Sequence, residues 1–197
     1  MKVLLLSNNN NVKALYDWLV EKENDVTLFH DPITVKVIDE LTPDLVISFN
    51  YQHIVKEDVI NCLGDKIINM HTSFLPWNKG ASPNMWSFIE DTPKGVTIHR
   101  LEKGFDTGKI IIQKELEFDE NTETLSSTYS KLNEEIAQLL MDNWEMISTG
   151  NYELKDQNGK GSYHRTSDLE ALLKGQHIDY SMTIKEFKEF VKKCEAL

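Results

Sequence analysis

An amide, an imidazole and a carboxylate stand in this chain where chemistry could use them. Asn69 and His71 lie two residues apart at the end of an apolar run, 66–69, and along an extended strand side chains at i and i+2 point to the same side. The carboxylate is that of Asp106, in the turn Phe105-Asp106-Thr107-Gly108 that feeds a second apolar run. Each group sits on a loop beside a rigid element, the usual setting for reactive side chains. The amide can donate to an oxygen that gains negative charge, and the imidazole can move protons near neutral pH. The carboxylate can orient that imidazole or a bridging water.

The elements that must hold these groups alternate between strand and helix. The run 2–6, Lys-Val-Leu-Leu-Leu, is apolar throughout and reads as a buried strand, while apolar positions 12, 15, 16 and 19 have helical spacing. Strands are expected at 25–29, 44–49 and 66–69, with helices at 34–41 and 57–63 between them. That alternation predicts a parallel sheet with right-handed crossovers and a site on the loops after the strands' carboxyl ends. Loops 50–55 and 69–82 then share one rim. A helix at 84–89, strands at 96–101 and 110–118, and a long helix from about Thr124 to a cap at Gly150 follow. Segments 152–154 and 162–165 flank the turn Gln157-Asn158-Gly159-Lys160-Gly161 and predict a hairpin, with helices at 168–173 and 184–193 after it. The expected fold is α/β, a Rossmann-like, mostly parallel sheet flanked by helices, with a small C-terminal hairpin and helices. Residues 1–150 are expected as the catalytic domain and 151–197 as an extension packed on it.

Composition narrows the function. With 197 residues, 40% of them hydrophobic, the chain can bury a real core. A formal charge of -11 argues against a nucleic-acid surface, so any phosphate must be held by local donors. Cys62 and Cys194 are too few for a disulfide framework or a zinc site, and no metal is expected. The apolar start is too short for a signal-peptide core and no run reaches membrane-spanning length, so a cytoplasmic protein without membrane contact is expected.

Turn 7–11, Ser followed by four asparagines, suits a helix cap, and its amides could also meet an anion. No GxGxxG follows the first strand, and a binding module without catalysis would not require Asn69, His71 and Asp106 together. Neither GxSxG nor a cysteine beside a histidine is present for a hydrolase. His99, mid-strand in an apolar alternation, reads as structural or as a partner behind the reacting groups. His30 and His177 carry no motif and read as solvated.

The ordered set Asn69-Met70-His71, HTSFLP, the Gly80 turn, GVTIH and Asp106-Thr107-Gly108 resembles the folate-dependent formyltransferase family. The likeness covers residues 1–150 in layout and is specific from 69 to 112. It implies that Asn69, His71 and Asp106 are the catalytic trio. Thr72 stands where many members have proline, which leaves the trio intact and loosens the loop. The segment LPWNKGASPNMWSF, the 50–54 loop and Gly161-Ser162-Tyr163-His164-Arg165 look most like the sugar-nucleotide N-formyltransferases. Glycinamide ribonucleotide transformylase or another small-amine formyltransferase is the alternative, and a chain this short and acidic is not expected to carry the tRNA-binding extension of the methionyl-tRNA enzyme.

The resemblance implies 10-formyltetrahydrofolate as co-substrate and a nucleotide-linked amino deoxy sugar as acceptor, in bacterial surface-glycan synthesis. For folate it points to Tyr51, Gln52, His53 and Ile54, the loop meeting the pterin largely through backbone groups, and to Leu101, Gly104 and Phe105. For the sugar nucleotide it points to Ser73, Trp77, Lys79, Tyr163 and Arg165, with the Lys79 ammonium offered to the diphosphate and Trp77 to a ring. A homodimer is compatible with the sequence. Asn69 would stabilise the tetrahedral oxyanion. His71 would take the amine's proton or, as imidazolium, support that anion. Asp106 would orient the imidazole and help relay a proton to the folate nitrogen.

Overall fold

The computed structural model describes residues 1–196. They form two compact units, one built from Met1–His71, Ile98–Ile112 and Ala137–Asp156, the other from Thr72–Thr97, Gln113–Ile136 and the chain from Gln157 onward.

The first unit opens with β1 (Lys2–Leu6), α1 (Lys13–Glu21), β2 (Asp25–Phe29), α2 (Val35–Leu41), β3 (Leu45–Phe49), α3 (Glu57–Leu63) and β4 (Ile67–His71). After β5 (Lys79–Gly80) and α4 (Pro83–Ile89), β6 (Lys94–Arg100) and β7 (Ile110–Leu116) complete a six-stranded sheet of order β2-β1-β3-β4-β6-β7. The pairs β1–β2, β1–β3 and β3–β4 are parallel, as expected of strands joined by helical crossovers. The register sets Leu4 beside Val46 and Val46 beside Ile67, and these side chains, with Leu6, join Ile38, Val59 and Leu63 of the helices in one core. Each such aliphatic contributes roughly 1.5–3 kcal/mol on full burial. Val3, Leu5, Ile47 and Ile68, alternating with them along the same strands, are equally buried. The sheet is therefore covered on both faces, which is why these strands carry continuous apolar runs.

Asn9 caps a short 3-10 turn at Asn10–Val12 by accepting from the Asn11 N–H, so the asparagine run begins a helix. Thr34 does the same for α2 through the Val37 N–H.

Two expectations are corrected. The long helix is two, α5 (Leu125–Asp142) and α6 (Trp144–Thr149). The break falls at Asn143, whose side-chain amide donates to the Leu139 carbonyl at 2.8 Å and whose backbone leaves the helical region. Gly150 caps α6 in the left-handed conformation, as its sequence position foretold. The second correction is the C-terminal hairpin, which does not form. Lys155 bonds with Ile110 in an antiparallel bridge of the first unit, whereas β8 (Tyr163–His164) pairs in parallel with β5 in the second. Gly161 explains the divergence, since a Cβ there would stand 2.3 Å from the Pro76 carbonyl oxygen and the chain is drawn onto that loop.

In the second unit, α7 (Thr166–Leu173) and α8 (Ile184–Glu195) follow β8. Phe88 and Leu125 pack with Ile184, Phe187 and Val191 of α8 as its core. Cys62 is exposed on α3 and Cys194 buried on α8, both reduced. Among the described residues no helix is long and apolar enough to cross a membrane.

Candidate active site

β4 runs two residues further than its apolar run, so both Asn69 and His71 stand on the strand. Asn69 pairs in register with Ser48 of β3, and the sheet backbone thus fixes where its side chain begins. Asp106 reaches the same place from the loop after β6. Its φ of 51° is left-handed, a conformation aspartate tolerates better than most residues, and Gly104 two residues before it turns with φ 114°.

The three groups meet within the first unit. Asn69 Nδ2 donates to Asp106 Oδ1 at 3.1 Å, and Asp106 Oδ2 faces His71 Nδ1 at 3.6 Å. The His71 side chain is 9% exposed and that of Asp106 15%, so their charges act where water screens little. A fourth member, His99, joins from β6. Its Nε2 lies 3.2 Å from Asn69 Nδ2 and 3.5 Å from Asp106 Oδ1, its Nδ1 is 2.7 Å from the Arg100 carbonyl, and its ring stands edge-on to His71. The available signal was its place on the strand that runs into the Asp106 loop, but an apolar alternation looks the same whether its polar residue faces a core or a site.

The remaining residues named for folate are also in the first unit. The Tyr51 hydroxyl accepts from the Ile33 N–H at 2.9 Å and donates to the Asp31 carbonyl, and burial pushes its phenol above the usual range. The Gln52 N–H donates to Asn8 Oδ1 at 3.1 Å, and the Asn8 N–H donates to the Asn50 carbonyl, which ties the turn after β1 to the loop after β3. His53 Nε2 meets the His30 carbonyl at 3.0 Å, and His30 Nδ1 meets the Ser7 carbonyl at 2.5 Å, so His30 is a fixed part of this rim and not merely solvated. Ile54 and Phe105 are 72% and 52% exposed, two large apolar groups shown to water on the loops after β3 and β6. Leu101 packs on the core and its N–H donates to the Ile67 carbonyl.

Those named for the sugar nucleotide lie in the second unit. Ser73 is 2% exposed and its hydroxyl donates to the Trp77 carbonyl at 2.8 Å; it shapes the loop from within. Lys79 pairs with Tyr163 across β5 and β8, and its N–H donates to the Ser162 carbonyl. Ser162 also accepts from the Asn78 N–H at 3.0 Å, while the buried Asn78 amide donates to Thr92 Oγ1 at 2.7 Å. Arg165 is exposed at the start of α7. Among the described residues no group of three or more metal-ligating side chains is placed to hold an ion.

Residues 5–143 match the family described as Formyl transferase. The chain is 38% identical to the formyltransferase PseJ of Anoxybacillus kamchatkensis, solved with UDP-4,6-dideoxy-4-formamido-L-AltNAc and tetrahydrofolate, with a TM-score of 0.87 over 97% of this chain and 100% of that one. It is 28% identical over 184 residues to the dTDP-4-amino-4,6-dideoxyglucose formyltransferase of Mycobacterium bovis, covering 87% of this chain and 77% of that protein. A methionyl-tRNA formyltransferase of Thermodesulfovibrio yellowstonii is 32% identical over 132 residues, 66% of this chain and 42% of that one. The chain belongs to the formyl transferase family.

Proposed function

We propose that this protein transfers the formyl group of 10-formyltetrahydrofolate to the amine of a nucleoside-diphosphate-linked 4-amino-4,6-dideoxy sugar. The observation that carries the reading is the Asn69–Asp106–His71 cluster in a chain that aligns over the whole length of a sugar formyltransferase. The neutral amine attacks the formyl carbon, a carbon–nitrogen bond forms and the carbonyl oxygen becomes an anion. Asn69 donates an N–H to that oxygen, an interaction stronger in the transition state than before it and worth about 3–4 kcal/mol where such donors have been removed elsewhere. His71 receives the proton that the attacking nitrogen sheds, and Asp106 stabilises the imidazolium. Return of that proton to the folate nitrogen lets its bond to the formyl carbon break, so the products are a formamide and tetrahydrofolate.

The exposed Ile54 and Phe105 side chains fit the flat apolar faces of a pterin, and the tethered 50–53 backbone offers fixed polar groups beside them. Lys79 supplies a cation for the diphosphate in a chain of net charge -11. Tyr163, paired with Lys79, and Trp77 offer rings for the base or the sugar. The 4-amino position is drawn from PseJ and the Mycobacterium bovis relative, both named for 4-amino or 4-formamido sugars.

The test incubates the protein and 10-formyltetrahydrofolate with a panel of UDP- and dTDP-linked 3-amino and 4-amino dideoxy sugars beside glycinamide ribonucleotide, following tetrahydrofolate release. Turnover of a 4-amino sugar nucleotide is expected. Turnover of glycinamide ribonucleotide alone would overturn the sugar reading and leave the formyl-transfer chemistry standing.

A further inference from the structure

His99 makes contacts that fix which of its nitrogens carries the proton. Nδ1 lies 2.7 Å from the Arg100 carbonyl oxygen, and a carbonyl can only accept, so Nδ1 bears the hydrogen and the neutral ring presents a lone pair at Nε2. That Nε2 is 3.2 Å from Asn69 Nδ2 and 3.5 Å from Asp106 Oδ1. An ion pair with Asp106 would require a second proton on the ring. The carboxylate oxygen already accepts from the Asn69 amide at 3.1 Å, however, and the amide nitrogen is nearer to His99 than the carboxylate is. The ring is therefore an acceptor for Asn69.

We propose that His99 is a positioning residue that selects the orientation of the Asn69 amide. Two acceptors, Nε2 of His99 and Oδ1 of Asp106, face the amide nitrogen, and neither could face the amide oxygen without lone pairs opposing lone pairs. The two are only 3.5 Å apart, so seen from the nitrogen they subtend far less than the angle between the two hydrogens of an amide. Each N–H can still meet one of them somewhat off line, so together they hold the NH2 end of the amide on this side, where a hydrogen can be shared with an arriving oxygen anion. Gly108 protects the arrangement. A Cβ there would stand 1.8 Å from the Arg100 carbonyl oxygen and 3.3 Å from His99 Nδ1, so the missing side chain gives that carbonyl its place against the ring. His99 is 1% exposed, and water does not compete for either nitrogen.

This inference rests on Asn69 acting on the formyl oxygen, and its test separates the two. Nitrogen-15 NMR of histidine-labelled protein reads the tautomer without any turnover: the His99 signals should show a protonated Nδ1 and an unprotonated Nε2. In kinetics, His99→Asn keeps a donor near the Arg100 carbonyl but has nothing at Nε2, and should lower kcat between about tenfold and a hundredfold, with KM for folate and for acceptor little changed. His99→Gln, whose side-chain oxygen reaches the Nε2 position, should recover most of that loss. A proton on Nε2, or equal turnover in the Asn and Gln variants with both folded by thermal melting, overturns the proposal. Absence of formyl transfer by the wild-type protein on every amine of the panel would instead overturn the function.

Discussion

His164 lies face to face with Trp86, ring centroids 3.8 Å apart and planes 5° from parallel. The Glu90 carboxylate is 3.3 Å from His164 Nε2 but out of line for a hydrogen bond, so stacking on the indole is what fixes the ring. The His164 backbone in turn holds the neighbouring loop, its carbonyl accepting from the Ala81 N–H at 2.9 Å and its residue pairing with Gly80.

His164→Ala should therefore destabilise the fold by about 1–2 kcal/mol, and His164→Phe, which keeps a flat ring on Trp86, should restore most of it. Urea denaturation followed by fluorescence measures both. If Lys79 holds the diphosphate as proposed, His164→Ala should also raise KM for the sugar nucleotide more than for folate. Equal stability of the Ala variant and wild type would remove the stack from the account of this loop.

Gly108→Ala is expected to be among the most disruptive single-methyl changes in the first unit. Its backbone is not in the left-handed region, so the cost is one of space: the new Cβ would sit 1.8 Å from the Arg100 oxygen and 2.8 Å from its carbon, both backbone atoms that cannot swing away. A loss of about 2–4 kcal/mol follows, and what folds should turn over slowly because the carbonyl behind His99 has moved. Gly150→Ala is the contrast, meeting nothing within 4 Å but holding a φ of 70°; its cost should be smaller, about 1 kcal/mol. The denaturant midpoints of the two variants rank them, and the reverse order would be inconsistent with this packing.

Much of this layout is legible in the residues, for reasons that also explain what is not. β1, β2 and α3 lie where the apolar runs and helical spacing place them, because local pattern and buried face coincide there. Asn69, His71 and Asp106 could be grouped because their order along the chain is a motif. The hairpin was misread because Asn158-Gly159 does turn, Gly159 holding φ 90°, yet the segments on either side find partners far away in sequence, Ile110 and Lys79. Local turn chemistry says nothing of such long-range pairing. Asn143 looks like any polar helix residue until its amide is seen bonded to Leu139. The role of His99 depends on two distances and a carbonyl, none of which spacing records.

Acid should loosen α8 through a single carboxylate. Glu186 closes a capping box with Thr183, accepting from its N–H and hydroxyl at 2.9 Å each, while the Thr183 hydroxyl accepts from the Glu186 N–H. The Thr183 backbone and hydroxyl donors hold the carboxyl below its usual range. A depressed carboxylate contributes stability that is present above the unfolded value, about 4.3 for glutamate, and is lost as pH falls through the folded value. Wild type should thus be more stable than Glu186→Gln at pH 7, and the gap should close in acid below the carboxylate range. Urea midpoints of both proteins at the two pH values decide it; a gap of the same size in acid would mean that charge is not what the cap uses.

The trio should behave as one unit when it is dismantled. Asp106 joins Asn69 and His71, Oδ1 accepting from the amide and Oδ2 facing the imidazole. On the proposed mechanism His71→Asn removes the proton handler, Asn69→Ala the oxyanion donor, and Asp106→Ala the group that orients one and pairs with the other. Each change acts on charge that appears in the transition state, so each should lower kcat on the order of a hundredfold or more with little change in KM. Once Asp106 is gone, the amide has lost one of its two acceptors and the imidazole its counter-charge, so removing a second member takes away a group already misplaced. The double variant Asn69→Ala/Asp106→Ala should therefore lose far less than the product of its single losses. Asp106→Asn separates orientation from charge: its side-chain oxygen can still accept from Asn69, but no carboxylate remains to stabilise an imidazolium. If His71 carries a proton during the reaction, Asp106→Asn should be nearly as slow as Asp106→Ala, because the imidazolium has lost its counter-charge. Near-wild-type turnover in Asp106→Asn would show that Asp106 serves only to hold the amide.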